Sequence, residues 1–503
     1  MRFHSLLIVL SLSILEPAHA AALTPDLSDL GLLPLHVVAA PAIAKAVAAA
    51  ESKSQPLQFA VGMDLPLTLN DGQWQQIGDQ WRWRTRVQSQ GAKTLNFTFS
   101  KFKMPDGASL WIYDAAGEVV QGPYTRANET PEGMLWTPMV MGGDAVIEVR
   151  VPASKRDAVQ LQLTKVNHGY REIGKTNISG FSGNAGSCER DVVCQPEAGN
   201  WPNEIRSAGL VTVNGNLACT GQMLNNTNQD DDPLFLTANH CLIEQTGGGP
   251  ATSVVVYWRY ENTACQGARN GDITHNQTSS TLVAQDRASD FTLVRLASKP
   301  DAANNVFYSG WNVQGTAPTS GAVIHHPQAN EKKISLYNST AQASTVPLCD
   351  TPLAGGVCLD SGGARNISAW RISYSSSVTE QGSSGSGLRD QNHLLVGQLS
   401  GGNSSCSNPS GQDYYGRFDL AYTNSAALKT AIGTATTLCG KDQGAAACST
   451  SGSSGSGSSG SGSGSGSSGS SGGGGGGGAL DPIALLGLMG LGLGLARRRK
   501  TLL

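Results

Sequence analysis

Short runs of alternating apolar and polar residues, separated by turn residues, dominate the chain between residues 180 and 448. Residues 208–213 and 217–223 flank the turn pair Asn214-Gly215, a combination that predicts a β-hairpin. Residues 254–257, 291–296 and 394–399 are further strand candidates. A helical pattern is clear only at residues 426–432. This region is therefore predicted to be an all-β barrel or sandwich.

The preceding region, residues 21–180, is predicted to be a second, mainly β unit. Its alternating residues 145–151 are typical of a strand, whereas the alanine-rich residues 37–50 predict a helix. This region contains no cysteine, and no cluster of catalytic residue types is apparent in it.

The N-terminus has the features of a secretory signal peptide. Arg2 and His4 precede an apolar run over residues 6–15, and small residues occupy positions 18 and 20. A membrane anchor would need about 20 apolar residues, and this run is half that length. We expect a signal peptidase to remove residues 1–20 and the rest of the chain to leave the cytoplasm.

The C-terminus has two segments of unusual composition. Residues 449–478 are only Ser, Gly and Thr, which predicts a flexible linker. Residues 479–496 are apolar apart from Asp481 and Pro482, and the basic residues 497–500 follow at once. Such a segment would insert with its C-terminus in the cytoplasm, but it is short and glycine-rich for a permanent membrane span.

Cysteine spacing and charge exclude several function classes. All ten cysteines lie between Cys188 and Cys448, and an even number in an exported chain favours disulfides over a metal site. No zinc-type spacing is apparent, so we expect no metal ion and no cofactor. A net charge of −3 over 503 residues gives no electrostatic argument for nucleic acid as a partner.

The strongest local signal is a histidine at the end of an apolar run. Residues 233–239 lead directly into His240-Cys241. An imidazole has a suitable pKa for proton transfer near neutral pH, provided that its orientation is fixed. A disulfide at Cys241 would fix it, so His240 is a candidate general base.

The second signal is the glycine-rich hexapeptide of residues 382–387, which contains Ser384. The same six letters recur at residues 452–457 in the linker, so the string has weight only because an apolar strand follows the first copy. Ser384 is the candidate nucleophile and Ser386 its competitor. The backbone N–H groups of Gly382 and Ser384 would then stabilise an oxyanion.

The third candidate is Asp290, at the start of the alternating residues 291–296, with Asp286 as the nearest competitor. The chain order His, Asp, Ser is that of chymotrypsin-like enzymes. A lipase or esterase would show the order Ser, Asp, His and a G-x-S-x-G motif between a strand and a helix, and neither is present. A catalytically inactive binding or adhesion protein on a protease scaffold remains the alternative.

Many short strings, in order along residues 183–438, resemble the bacterial lysyl endopeptidase family of chymotrypsin-like serine proteases. The resemblance implies two six-stranded β-barrels with the active site between them, an N-terminal propeptide, and cleavage of peptide or protein substrates after lysine. The strings are Gly186-Ser-Cys188, Asp191-Val-Val-Cys194, Leu217-Ala-Cys-Thr-Gly221, Leu236-Thr-Ala-Asn-His-Cys241, Ser289-Asp-Phe-Thr-Leu293, Ile324-His-His-Pro327, Gly382-Ser-Ser-Gly-Ser386, Gly397-Gln-Leu399, Gly401-Gly402 and Tyr415-Gly-Arg417.

The same resemblance implies three disulfides, Cys188 with Cys406, Cys194 with Cys265, and Cys219 with Cys241. The other four cysteines have no counterparts in the family pattern. Their simplest completion is local pairing, Cys349 with Cys358 and Cys439 with Cys448.

Substrate preference is also implied by resemblance. Trypsin has its pocket aspartate six residues before the nucleophile, where this chain has Val378. In the lysyl endopeptidases the acid lies just before a Tyr-Gly-Arg string, which corresponds to Asp413, and Gly401 and Gly402 would leave the adjacent wall open. Ser400 stands where the family has a histidine, so arginine should be accepted more evenly than in strict relatives.

Two further expectations concern processing. Ser383 replaces the aspartate that responds to activation in trypsin, so the propeptide must restrain activity in another way, and we expect its release near Lys175 or Arg171. The tail resembles the GlyGly-CTERM sorting signal, which implies removal by a rhomboid-type protease after a transient stay in the inner membrane, and a secreted or cell-surface location in a Gram-negative bacterium. The predicted organisation is signal peptide 1–20, propeptide 21–180, protease domain 181–448, linker 449–478 and tail 479–503.

Overall fold

The computed structural model describes residues 23–42, 55–174, 185–245, 248–349 and 364–448. Their secondary structure is nearly all β, which confirms the predicted fold class. The strands before the protease region are β1 Leu35–Val38, β2 Leu57–Gln58, β3 Ala60–Thr68, β4 Gln73–Ile77, β5 Gln80–Ser89, β6 Thr94–Lys103, β7 Ser109–Asp114, β8 Val120–Tyr124, β9 Leu135–Trp136, β10 Val140–Met141, β11 Asp144–Pro152 and β12 Gln160–Gly169. Short 3-10 helices lie at Leu30–Leu32, Arg126–Asn128 and Ala153–Ala158.

The N-terminal region is a β-sandwich. One sheet has the strand order β1-β5-β11-β7-β8 with β4 beside β5, and the other has the order β10-β6-β12-β3 with β9 beside β6. Apolar side chains that alternate along both sheets, among them Trp83, Phe97, Phe99 and Ile147, form one buried cluster. Such alternation with a period of two residues is what places one face of each sheet in the core.

The predicted helix over residues 37–50 is wrong where the structure describes it. Val37 and Val38 belong to β1, which pairs in parallel with Arg86–Ser89 of β5, and residues 39–42 have no helical structure. Pairing of β-branched valines with an existing sheet outweighs the helix preference of the alanines. Pro41 also disfavours helical backbone at the residue before it. Residues 43–50 lie outside the described part of the chain.

The protease region contains the remaining strands and three short helices. They are α1 Pro202–Ser207, β13 Ala208–Val213, β14 Leu217–Leu224, β15 Leu234–Ala238, β16 Val255–Tyr257, β17 Asn276–Thr278, β18 Ser280–Asp286, β19 Phe291–Leu296, β20 Phe307–Tyr308, β21 Trp311–Asn312, β22 Gly321–His325, β23 Lys333–Tyr337, β24 Gln342–Cys349, β25 Ala364–Ile372, β26 Gly387–Arg389, β27 Leu395–Gly402, β28 Asp413–Arg417, α2 Phe418–Asn424, α3 Ala426–Ile432, β29 Thr437–Leu438 and β30 Lys441–Asp442. Short 3-10 helices lie at Asn239–Cys241, Ala251–Ser253, Ala302–Asn304 and Pro327–Ala329.

These strands form two large sheets that correspond to the two predicted barrels. The first has the order β17-β16-β13-β14-β15-β19-β18, and the second has the order β23-β22-β26-β27-β28-β25-β24 with β21 beside β27. The hairpin β13–β14 is as predicted, with left-handed backbone at Asn214 (φ 54°) and Gly215 (φ 69°). The predicted helix at residues 426–432 is also confirmed, and the Ser425 side chain caps it by accepting from the Leu428 N–H.

The sandwich and the first protease sheet are joined by a strand. Leu57–Gln58, the strand β2 at the edge of the sandwich region, pairs antiparallel with Leu217–Ala218 at the start of β14. Leu57, Phe59 and Met139 then pack with Leu210, Tyr257 and Tyr260 in one buried cluster. The N-terminal region therefore adds a short strand to the protease sheet.

Candidate active site

Two neighbouring strands bring His240 and Asp290 together. His240 lies in the 3-10 turn directly after β15, and Asp290 directly precedes β19, which pairs with β15 at Ala238 and Phe291. His240 Nδ1 lies 2.9 Å from Asp290 Oδ2, and the backbone N–H of His240 donates to Asp290 Oδ1 at 3.0 Å. Both residues are buried. Asp290 has a positive φ of 52°, a conformation that an aspartate tolerates better than most residues.

This contact fixes the tautomer of the imidazole. An ionised carboxylate only accepts hydrogen bonds, so Nδ1 of His240 carries the proton and Nε2 is the basic nitrogen. Nε2 has no hydrogen-bond partner among the described residues. From behind, the Gln398 side chain donates to the carbonyl oxygens of Ser289 (2.7 Å) and Asp290 (3.3 Å).

Strand β14 connects the loop that carries Ser384 to the histidine. The Thr220 N–H donates to the Ser384 carbonyl at 2.8 Å, and Thr220 Oγ1 donates to the Gly382 carbonyl at 2.9 Å. Cys219, the preceding residue, forms a disulfide with Cys241, the residue after His240. Cys241 Sγ lies 3.9 Å from the Ser384 carbonyl oxygen. The structure thus brings Ser384 next to the turn that contains His240.

Glycine is required at two positions of this loop. Gly382 and Gly385 have φ values of +91° and +84°, which L-residues rarely adopt. A Cβ atom at Gly385 would overlap the Thr237 side chain and the Thr220 carbonyl, and one at Gly382 would lie 3.0 Å from the Ala329 nitrogen. The backbone therefore approaches its neighbours as closely as the glycine-rich string predicts.

The competing residues occupy other positions. Asp286 caps the turn before Asp290 by accepting from the N–H groups of Ala288 (3.2 Å) and Ser289 (2.8 Å) and from the Ser289 hydroxyl. Ser386 is buried, and its backbone is paired with Ser383 and Leu399.

Asp413 is fully buried at the start of β28 and accepts several hydrogen bonds. Oδ2 accepts from Ser404 Oγ (2.7 Å), Tyr374 Oη (3.0 Å) and Thr379 Oγ1, and Oδ1 accepts from the Ser404 N–H (3.1 Å). Burial, together with the nearby Asp413 carboxylate, raises the pKa of Tyr374 well above its ordinary value. This phenol therefore stays protonated and remains a donor, and neutral donors of this kind stabilise an ionised carboxylate.

The predicted wall residues lie on the neighbouring strand β27. Gly402 is paired with Asp413, and a Cβ atom at Gly402 would overlap the Asp413 carboxylate, so a side chain there would displace the acid. Gly401 is paired with Tyr414 across a β-bulge. Ser400 is buried, and its hydroxyl has no hydrogen-bond partner among the described residues.

Sequence reasoning missed the hydroxyl groups around Asp413. Thr379 lies one residue after Val378, the position that corresponds to the trypsin aspartate. A prediction that considered only charged residues there did not include this neutral donor. Tyr374 and Ser404 are distant along the chain and had no local signal. Their proximity to Asp413 depends on the pairing of β25 with β28 and of β27 with β28.

Four of the five predicted disulfides are present in the structure, and the residues of the fifth pair, Cys349 and Cys358, lack described side chains. The observed pairs are Cys188–Cys406, Cys194–Cys265, Cys219–Cys241 and Cys439–Cys448. Disulfides of this number are typical of proteins that fold in an oxidising compartment. Within the described ranges, no group of three or more His, Cys, Asp or Glu side chains is arranged to hold a metal ion.

No helix among the residues that the structure describes is both long and apolar enough to cross a membrane. The predicted signal peptide, linker and sorting tail lie outside those residues.

Comparison with known proteins identifies the family of both regions of the chain. Residues 182–416 match the family model "Lysyl endopeptidase, C-terminal domain", and residues 32–170 match "Lysyl endopeptidase N-terminal domain". A lysyl endopeptidase of Pseudomonas aeruginosa is 28% identical over 452 residues, which cover 82% of this chain and 90% of that protein.

Among solved structures, a protease of M. tuberculosis in its active form has a TM-score of 0.30 at 15% identity, covering 52% of this chain and 96% of that one. A thermostable serine protease from an extremophilic microorganism has a TM-score of 0.30 at 16% identity, covering 44% of this chain and all of its own.

The family matches define the class of protein: the chain is a serine endopeptidase with a nearly all-β fold, and it acts on peptide or protein substrates. Both domains of one family are matched in order, over most of the chain. The chain therefore belongs to the lysyl endopeptidase family.

Proposed function

We propose that this protein is a secreted endopeptidase in which His240, Asp290 and Ser384 form a catalytic triad. The observation that supports this proposal best is the buried contact between His240 Nδ1 and Asp290 Oδ2, 2.9 Å long, in the turn that adjoins the Ser384 loop. A buried carboxylate that faces an imidazole supports catalysis, because it stabilises the cation that forms when the ring accepts a proton.

In the proposed reaction, each of these three side chains has a separate role. Ser384 Oγ attacks the carbonyl carbon of the scissile bond, and its proton moves to Nε2 of His240. The carbonyl π electrons move to oxygen, where the N–H groups of Gly382 and Ser384 stabilise the negative charge. His240 then gives the proton to the departing amine, which leaves an acyl ester on Ser384. Water repeats the sequence and releases the acid.

The proposed specificity is cleavage after lysine and, less strictly, after arginine. Asp413 is a buried carboxylate held by neutral donors, and the absence of a side chain at Gly402 gives this carboxylate the space that it occupies. A substrate cation would pair with this charge, whereas an uncharged side chain would leave the carboxylate desolvated without compensation. Ser400, which is smaller than the family's histidine, leaves room for a guanidinium group.

A serine-directed phosphonate with a lysine-like side chain tests the triad directly. We expect one phosphonyl group per chain, located on Ser384 by peptide mass spectrometry, because only an activated serine displaces the leaving group at a measurable rate. His240→Ala should prevent labelling, whereas Gln391→Ala, an exposed change whose side chain contacts Thr319 and no triad residue, should not. Labelling on Ser386, or none on the wild type, would contradict the proposal and favour an inactive binding protein.

The N-terminal sandwich is proposed to be a propeptide that covers the cleft until it is removed. Its strand β2 pairs with β14 at Leu217 and Ala218, three and two residues before Thr220, which itself contacts the Ser384 carbonyl. The Gln381 side chain donates to the Pro56 carbonyl at 3.4 Å. Gln381 directly precedes Gly382, so an extended segment of the N-terminal region lies beside the proposed oxyanion loop.

Lys175 is the preferred release site of the two candidates. The backbone N–H of Arg171 donates to the Phe59 carbonyl at 3.4 Å, and its guanidinium donates to Gln58 O (3.1 Å) and Gln328 Oε1 (3.2 Å). Cleavage after Arg171 would require these bonds to break before the residue could enter an active site. Lys175 lies beyond the last residue described in this segment, and the enzyme's own specificity would allow cleavage there.

Export and sorting complete the proposal. A signal peptidase would remove residues 1–20, and a rhomboid-type protease would remove the glycine-rich apolar tail after its transient stay in the inner membrane. The protein would then be released or held at the cell surface of a Gram-negative bacterium. The disulfides in the protease domain are consistent with this route.

The secreted form should therefore be shorter than the precursor at both ends. We expect N-terminal sequencing to begin at Thr176 and the intact mass to exclude residues 497–500. A Ser384→Ala precursor, secreted alone, should keep its N-terminal region because no active enzyme is present to cut it. Normal processing of that precursor would contradict self-cleavage, and a mature mass that includes Arg497–Lys500 would contradict sorting.

A further inference from the structure

A second buried histidine, His325, contacts the loop of the proposed nucleophile without belonging to the triad. It is the last residue of β22 and is fully buried. Its Nδ1 lies 2.8 Å from Ser383 Oγ, and its Nε2 lies 2.9 Å from Ser335 Oγ. Ser383 is the residue directly before Ser384, at the position where trypsin has the aspartate of its activation switch.

The hydrogen bonds around His325 have one consistent direction. The Ser335 hydroxyl donates to the Val378 carbonyl, so its oxygen accepts from His325 Nε2–H. Nδ1 is then unprotonated and accepts from the Ser383 hydroxyl, whose oxygen accepts from the Glu380 N–H at 3.2 Å. Every donor has an acceptor when the imidazole is neutral. Glu189, 3.7 Å from Nε2, is too distant for a hydrogen bond.

These hydrogen bonds hold the loop of residues 378–384 near both of its ends. The Val378 carbonyl, the Glu380 N–H and the Ser383 hydroxyl are all connected to His325. The loop that ends at Ser384 is therefore held against β22 and β23 by one side chain and two serines. No activation salt bridge of the trypsin type is needed to hold it.

The residues after His325 also orient the peptide bond of Gly382. The Gln328 N–H donates to the Gln381 carbonyl at 2.6 Å. In a trans peptide the C=O and the following N–H point in opposite directions, so this bond turns the Gly382 N–H away from Gln328. The Thr220 hydroxyl fixes the next carbonyl, that of Gly382, at 2.9 Å. The direction of the proposed oxyanion donor is thus set by Gln328, three residues after His325, and by Thr220 of β14.

We propose that His325, through Ser383, is a positioning residue that holds the oxyanion loop in its active geometry. The inference rests on the proposed function, because it assumes that Ser384 is the nucleophile. It assigns His325 no contact with the substrate. Its loss should affect the stabilisation of the negatively charged oxygen most. Thr379 of the same loop donates to Asp413, but Tyr374 and Ser404 lie outside the loop and also hold this carboxylate, so the binding of the substrate side chain should be kept.

His325→Phe removes both hydrogen bonds of the ring and keeps its approximate volume. Precursors that carry each variant are matured with immobilised wild-type enzyme, and kcat and KM are measured on a lysyl anilide. We expect kcat to fall about 10- to 100-fold, because displacement of an oxyanion donor typically costs a factor of this order or more. KM should stay within about two-fold.

Inhibitor binding separates positioning from loss of folded enzyme. A lysyl peptide aldehyde, which forms a tetrahedral oxyanion, should bind His325→Phe more weakly by the same factor as kcat falls. A simple alkylamine, which occupies only the side-chain pocket, should bind with unchanged affinity and stoichiometry. Equal weakening of both inhibitors would overturn the proposal, because a disordered active site predicts that result.

Two further variants keep the test decisive if His325→Phe folds poorly. Ser383→Ala removes the other partner of the hydrogen bond to His325. The His325→Phe Ser383→Ala double variant should be no less active than the less active of the two single variants, since both changes break the same hydrogen bond. His326→Phe is the matched control, because this neighbouring ring is equally buried and the Asn330 carbonyl is its one hydrogen-bond partner in the described part of the chain. Independent, additive losses for His325 and Ser383 would contradict the coupling.

The outcomes also separate this inference from the proposed function. Hydrolysis by Ser384→Ala would refute the triad and this inference together. Loss of hydrolysis in Ser384→Ala, combined with unchanged kcat and aldehyde affinity in His325→Phe and Ser383→Ala, would refute only the positioning role.

Discussion

Replacement of Ser384 by alanine is expected to lower kcat on a lysyl amide by about 10⁴- to 10⁶-fold. The variant removes one oxygen atom, and with it the nucleophile, while the Thr220 N–H can still bind the carbonyl of residue 384. The loop should therefore keep its conformation, and the pocket around Asp413 should keep its affinity for cationic inhibitors. The measurement is steady-state hydrolysis by material matured with immobilised wild-type enzyme.

Ser386→Ala is the matched control for this substitution. Ser386 belongs to the same glycine-rich string, is equally buried, and loses the same single oxygen atom. Its hydroxyl has no hydrogen-bond partner among the described residues, so its removal breaks no observed contact. We expect kcat within about three-fold of the wild type, in the range of changes that touch no catalytic group. A reversed pattern, with Ser386→Ala inactive and Ser384→Ala active, would move the nucleophile to Ser386.

The second large effect is expected at Asp413. Asp413→Asn keeps the shape of the side chain and removes its charge, so the preference for lysine over an uncharged residue of similar length should fall about 10³-fold in kcat/KM. Sites that discriminate through a buried polar group reach ratios of this order, because the wrong substrate leaves that group unpaired. The comparison uses lysyl, arginyl and norleucyl substrates with the same leaving group.

The fold should tolerate this change at Asp413. Three of the groups that donate to its carboxylate are the hydroxyls of Thr379, Ser404 and Tyr374, and a hydroxyl can turn to accept from the new amide. Asp390→Asn is the control. Asp390 is also buried in the second protease sheet and accepts from the N–H groups of Asn392 (2.9 Å) and Leu394 (3.0 Å).

The two variants must differ for the specificity proposal to stand. Asp390→Asn should leave the lysine preference unchanged, whereas Asp413→Asn should lose it. An unchanged preference in Asp413→Asn would place the acid of the pocket elsewhere in the chain.

The sequence predicted those parts of the fold that depend on local pattern. Alternating apolar residues and the Asn214-Gly215 turn predicted the β13–β14 hairpin, and a run with helical spacing predicted α3. The helix over residues 37–50 was predicted from alanine content, but valines at its start pair with β5. The helix preference of the residues themselves gives no information about a strand that lies much further along the chain.

The candidate site shows the same division. His240, Asp290 and Ser384 were predicted as candidates because each lies in a short string of distinctive residues. His325 lies in such a string too, yet its contact with Ser383 requires two segments 58 residues apart to meet. The residues whose hydroxyl groups surround Asp413 do not lie in any such distinctive string. A sequence string identifies a residue when its neighbours along the chain are also distinctive. Hydrogen-bond partners that meet because distant strands pair are visible only in the three-dimensional structure.

The pairing of β2 with β14 determines which edge of β14 is covered while the N-terminal region is in place. Residues 217–218 of β14 pair with β13 on one side and with β2 on the other, while β15 pairs only with residues 222–224. In the proposed maturation, departure of the N-terminal sandwich would therefore expose an unpaired strand edge next to the proposed active site. Unpaired edges readily add strands from other chains, including unfolded ones. Under this proposal, the covered edge would protect the newly exported protein from mispairing, and its exposure on maturation would offer a pairing edge to extended polypeptides only once the enzyme is ready to cut them.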